Sequence, residues 1–112
     1  MVAGVLKLYL RLNKLDEALD YWKTTLERAK KEDSLLFEKL HGDMLLVDRK
    51  TGHGYLIGLW ETDEDSRAFE ESIFYQERVA EIEIFCLRPP VRERFEVAGG
   101  NLDLVLLNKL AA

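Results

Sequence analysis

The chain is poor in several things at once. A single cysteine, Cys86, in 112 residues leaves no partner for an internal disulfide and no CxxC pair for a metal or redox site. Its two histidines, His41 and His53, stand beside turn glycines without metal-ligand spacing, so both are expected to be solvated loop residues. No apolar run is long enough to span a bilayer, and no repeat, low-complexity tract or Gly/Ser linker divides the chain. Basic residues are outnumbered, 16 to 21, for a net charge of −5, which argues against binding a phosphate backbone. The first residues lack the basic-then-apolar pattern of a secretory leader. A cytoplasmic protein, free of membrane and nucleic acid, is the expectation.

What remains is ordinary globular material, 47% apolar and 33% charged, enough for one domain. From Val5 to Asn13, Leu6, Leu8, Leu10 and Leu12 alternate with Lys7, Tyr9, Arg11 and Asn13, the period of a strand. From Leu15 the period changes: Leu15, Ala18, Leu19, Trp22, Leu26 and Ala29 form a helical stripe, with acids in its first turn and bases in its last. Leu35 to Leu40 can make one further turn before Gly42. Met44–Val47 and Tyr55–Trp60 flank a polar, glycine-containing turn and read as a hairpin. With Thr51-Gly52 at its centre, Val47 opposes Leu56 and Leu45 opposes Gly58. Leu45, Val47, Leu56, Gly58 and Trp60 then share one face, and Met44, Leu46, Ile57 and Leu59 the other. Thr62 caps an acid-rich helix start, with a break expected near Ser72–Phe74. Pro89-Pro90 end the helical run, and Val91 to Val97 alternate as a last strand. The period of Asn101 to Leu110 is ambiguous.

The order βαββαβ is that of an α+β, ferredoxin-like fold with two helical segments on one face of an antiparallel sheet. The hairpin strands are apolar on both faces, as strands buried on both sides are. A second copy lying on the uncovered sheet face is therefore expected. Folding of Asn101–Leu110 back over that face within one chain is the competing arrangement.

Leu45-Leu46-Val47-Asp48-Arg49-Lys50-Thr51-Gly52, Leu59-Trp60-Glu61-Thr62-Asp63-Glu64-Asp65, Ser72-Ile73-Phe74-Tyr75-Gln76 and Val91-Arg92-Glu93-Arg94-Phe95-Glu96-Val97 resemble antibiotic-biosynthesis-monooxygenase-like (ABM-like) domains of the dimeric α+β barrel superfamily. The resemblance spans about residues 4 to 98. It implies an ABM-like domain over residues 1–98, with 99–112 as a C-terminal extension, and a homodimer whose sheets close a barrel. Each protomer would keep a cavity between sheet and helices for a small apolar or aromatic molecule. Two enzyme branches of the superfamily place a Trp where Trp60 falls. The haem-degrading branch also needs a helix His, where this chain has Arg78, and carrying that branch's Asn over to Asn13 is forced. No cofactor is therefore expected. The quinone-forming branch tolerates a helix Arg and a Tyr in the cavity. The resemblance leaves three readings: a binding domain, a cofactor-independent monooxygenase of phenolic or polycyclic substrates, and a structural or regulatory dimerisation module.

Trp60, with Gly58 leaving room beside it, is the first candidate ligand contact; a core aromatic packed on a glycine is the competing explanation. Arg78, Tyr75 and Tyr9 could orient an anionic or phenolic ligand, against surface and interface roles. Cys86 reads as a small buried hydrophobe, and Glu61, Asp63, Glu64 and Asp65 as helix-capping acids without a metal. Arg92 and Arg94, alternating with Glu93 and Glu96, suggest a cross-strand charge ladder. A pocket beside Trp60 would favour a ligand; a filled one, the structural module.

Overall fold

The computed structural model describes residues 1–100. The strands are β1 (Val2–Tyr9), β2 (Leu40–Val47), β3 (His53–Trp60) and β4 (Val91–Glu96). The helices are α1 (Leu15–Glu32), α2 (Asp63–Glu71) and α3 (Ile73–Ile82), with short 3-10 turns at Leu12–Lys14 and Glu83–Phe85. All pairings are antiparallel in the order β2-β3-β1-β4, so each βαβ unit straddles one strand, as in the ferredoxin-like arrangement. The cover expected of Asn101–Leu110 lies outside the described residues.

β1 ends at Tyr9, four residues short of the Val5–Asn13 alternation. Beyond Tyr9 the backbone bonds to loops instead of a strand: Leu10 N–H donates to Gly52 O and Arg11 N–H to Phe85 O, both at 2.8 Å. Leu12 consequently enters a 3-10 turn and is 57% exposed, although it fits the alternation. Gly52 makes this junction possible. Its φ is +80°, and a Cβ there would lie 2.2 Å from Leu10 O.

Residues 34–39 do turn, but β2 already starts at Leu40, and Gly42 sits at an irregularity in the pairing with β3 instead of ending the run. The hairpin pairs Val47 with Gly54 and Leu45 with Leu56, two residues away from the register centred on Thr51-Gly52. A shift of two preserves side-chain parity. The two faces are therefore composed as expected. His41 and His53 belong to strands rather than loops, though both are exposed.

Thr62 Oγ1 accepts from Asp65 N–H at 3.1 Å, capping α2. Ser72 ends α2 and caps α3, its Oγ accepting from Tyr75 N–H at 3.1 Å. All three helices pack on the face carrying Leu6, Leu8, Leu56, Gly58 and Trp60. The core there joins Leu6, Leu8 and Leu10 to Leu15, Ala18, Ile82 and Cys86. Burial pushes the Cys86 thiol pKa up, as befits a packed, unreactive side chain. The opposite face carries Val5, Met44, Leu46, Tyr55, Ile57, Leu59 and Phe95 by register. Leu59 is buried, whereas Leu46, Tyr55, Val91 and Phe95 are 40–51% exposed. No helix among the described residues is long and apolar enough to cross a membrane.

Candidate functional site

The helix-covered face is filled at one end and hollow at the other. Gly4 and Gly58 face each other across β1 and β3, so neither strand carries a side chain at that level. Trp60, two residues on from Gly58 and 4% exposed, lays its indole over that gap: a Cβ on Gly58 would come within 3.1 Å of Trp60 Nε1. Phe69 of α2 holds the indole from above, with ring centroids 4.7 Å apart, and Tyr75 of α3 meets Phe69 edge-on at 5.2 Å. Trp22 and Leu26 of α1 form the facing wall.

Between these walls lie two adjoining cavities of about 80 and 90 Å³. They share Leu6, Trp22, Leu26, Leu56, Phe69 and Tyr75, and so form one slot. Its first half is lined also by Gly4, Asp43, Gly58, Trp60 and Glu70; its second half reaches Arg78 and Tyr21. The slot has the scale of the ~150 Å³ apolar cavity that accepts one benzene ring. It falls below the roughly 300 Å³ at which drug-sized pockets begin.

Polar atoms sit at its margins. Arg78 Nη2 is 2.7 Å from Glu81 Oε1, and its guanidinium carbon lies 5.1 Å from the centre of the Phe74 ring. The Tyr21 hydroxyl donates to Glu81 as well, and these donors hold the Glu81 carboxyl below the usual carboxylate range. Arg78 Nε is buried without a hydrogen-bond partner among the described residues. Burial raises the Tyr75 hydroxyl to about 12, with the nearby Glu70 charge adding to the effect. Tyr21 is raised to about 12 too, by burial first and by Glu81 second.

Of the four residues picked from sequence, Trp60, Tyr75 and Arg78 line the slot, with Tyr75 common to both halves. Tyr9 does not join them. Its side chain projects from the opposite sheet face, where it packs edge-on to His53 at 5.3 Å, because odd-numbered residues of β1 point away from the helices. Sequence reasoning missed Trp22, Phe69 and Glu70 as slot residues. Trp22 was visible as part of an apolar stripe, but periodicity does not distinguish a wall from a core. Gly4 mattered only through its register with Gly58.

The charge ladder takes a different form from that expected. Lys7 and Glu93 pair on the open face at 2.7 Å, whereas Arg94 turns to the helices, 3.5 Å from Glu70 and 3.4 Å from Asp63.

No protein-family model and no curated protein matches the sequence. Solved structures do match the fold. A crystal structure of an antibiotic biosynthesis monooxygenase superposes with a TM-score of 0.67 at 15% identity, over 88% of this chain and 100% of that one. A Nitrosomonas europaea protein described as a candidate antibiotic biosynthesis monooxygenase gives 0.63 at 14% identity, again over 88% and 100%. A conserved protein from Methanosarcina mazei Go1 gives 0.67 at 11%, over 85% and 90%. The chain thus has the α+β, ferredoxin-like fold of the antibiotic biosynthesis monooxygenase structures, an ABM-like fold.

Proposed function

We propose that the protein is a homodimeric ABM-like domain that holds a small, single-ring aromatic or apolar molecule between its sheet and helices. The slot carries this reading: an apolar space of one-ring size, walled by Trp22, Trp60, Phe69 and Tyr75, with Arg78 at its margin. Trp60 and Tyr75 would stack on the ring, and Arg78 would meet a polar substituent. Residues 1–98 constitute the domain, 99–112 an extension, and the cytoplasm its place.

The homodimer rests on the other sheet face. Leu46, Tyr55, Val91 and Phe95 are each at least 40% exposed there, beside Val5, Met44 and Ile57. Covering such side chains contributes roughly 1.5–3 kcal/mol apiece when burial is complete. A two-fold partner offers the same surface in return.

A monooxygenase that orients its substrate with Trp60, Tyr9 and Arg78 together fits less well, since Tyr9 lies across the sheet from the other two. A polycyclic substrate would also need a wider slot. These observations favour binding of a small molecule over that reaction.

Both tryptophans of the chain, Trp22 and Trp60, border the slot. Intrinsic fluorescence titrated with toluene and with phenol is therefore the test. Saturable quenching or a spectral shift is expected, and a flat response to both compounds would contradict the binding role. Sedimentation equilibrium tests the homodimer separately, with a lone protomer at micromolar concentration as the contrary result.

A further inference from the structure

Tyr9 lies in a site of its own. A cavity of about 230 Å³ at the hairpin end of the open sheet face is lined by Lys7, Leu8, Tyr9, His53, Gly54, Tyr55 and Arg88. The whole chain carries −5, yet no carboxylate lines this space; one lysine, one arginine, one histidine and two phenols do. Charge of the minority sign has been gathered at one point.

The local fold holds Arg88 in place. Leu87 N–H donates to Tyr9 O at 2.7 Å, Leu10 and Cys86 form an isolated bridge, and Pro89-Pro90 stiffen the chain immediately afterwards. The guanidinium carbon rests 3.6 Å from the centre of the Tyr9 ring. Stacking of this kind engages the face of a guanidinium and leaves the N–H donors on its edge available. Arg88 pairs with no carboxylate among the described residues. His53 stands edge-on to the same tyrosine, 5.3 Å away. Lys7 is partly engaged, its amine 2.7 Å from Glu93, so it supports the positive field without dominating it. A planar fork with free donors, beside an imidazole and a phenol, suits an anion with two oxygens to offer.

We propose that the Tyr9–His53–Arg88 pocket binds a small oxyanion from solution, the carboxylate or phosphate group of a free molecule, with Arg88 as its two-pronged donor. The site is on the opposite sheet face from the aromatic slot. It does not depend on that slot being a binding site. It lies at the hairpin end of the open face and shares Tyr55 with the surface proposed for the homodimer, so a partner centred on Val5 and Ile57 would border the pocket, with Tyr9, His53 and Arg88 on its outer side.

The test is NMR titration of the full chain with inorganic phosphate and, separately, with acetate, at constant ionic strength. Saturable shifts centred on Tyr9, His53, Tyr55 and Arg88 are expected with at least one anion, and the tighter of the two identifies the group. Arg88→Gln should weaken binding about tenfold or more, as loss of a charge-assisted pair of bonds does. Glu93→Gln, which releases Lys7, should tighten it by a few fold. Should Arg88→Gln disturb the fold, Tyr9→Leu removes the stacking platform instead and should weaken binding as well. Linear, unsaturable shifts with both anions, or equal binding by a natively folded Arg88→Gln protein, overturn the proposal.

Discussion

The two ends of the helix-covered face are built from the same sheet and the same helices, yet one is solid and the other hollow. At the solid end, Leu8 faces Gly54, and the gap left by that glycine is filled by neighbours: a Cβ there would meet Leu10 Cδ1 and Leu8 Cβ, both at 3.7 Å. At the hollow end, Gly4 faces Gly58; a Cβ on Gly58 would meet Trp60 Nε1 at 3.1 Å and Leu40 Cδ1 at 3.5 Å, one on Gly4 would meet Ser66 Oγ at 3.3 Å, and the slot lies beside them. Two glycines in register remove side-chain volume from both strands at one level, and the flat rings of Trp60, Phe69 and Tyr75 bridge the space without filling it. Whether a gap becomes core or cavity depends on which large side chain happens to overhang it.

Substitutions can break this contrast. Leu8, 1% exposed at the solid end, should cost about 3–5 kcal/mol when replaced by alanine, as fully packed leucines do. Leu26→Ala at the wall of the slot should cost appreciably less, because that side chain already faces empty space. Urea unfolding of the two variants measures the difference, and equal losses would mean that the slot is as well packed as the core.

Gly58→Ala comes next. The added methyl would sit 3.1 Å from Trp60 Nε1 and force the indole to move, at about 1–3 kcal/mol. A shifted Trp emission and loss of toluene binding are expected, while Gly99→Ala, with nothing within 4 Å, should change neither.

The buried phenols sharpen the comparison through pH. Tyr75 and Tyr21, both raised to about 12 in the folded chain, keep their full contribution to stability below the unfolded value of 10. That contribution is lost as pH rises from 10 through about 12, because the unfolded chain gives up its protons first. Tyrosinate absorbance should show two late-titrating groups, and the double variant Tyr21→Phe, Tyr75→Phe should abolish them. The smallest effect belongs to the surface: Lys39→Ala, breaking the exposed 3.2 Å pair with Glu61, should leave the urea midpoint almost unchanged.

Much of this architecture could be read in the residues, and the failures have physical causes. The α1 stripe, the Thr62 cap and the double proline before β4 are local signals, decided by neighbours in sequence, and the chain follows each. The end of β1 was misread because Leu12 continues the alternation while its backbone lies beyond the sheet, where Gly52 and Phe85 draw off the neighbouring N–H groups. The hairpin register was displaced by two residues, yet the face assignments survived because parity is all they need. Tyr9 fell outside the slot for the converse reason. One position of parity carries a side chain through the sheet, and no nearby residue announces which face will be hollow. The slot depends on Gly4 meeting Gly58 under Trp60, a coincidence of register across 54 residues that periodicity alone does not display.

A crystal soaked in bromobenzene tests the binding role of the hollow end most directly, since bromine is located by its anomalous scattering. A single ordered peak among Trp22, Trp60 and Tyr75 is the predicted result. Bromine found elsewhere, with the space between those three rings unchanged, would contradict the account.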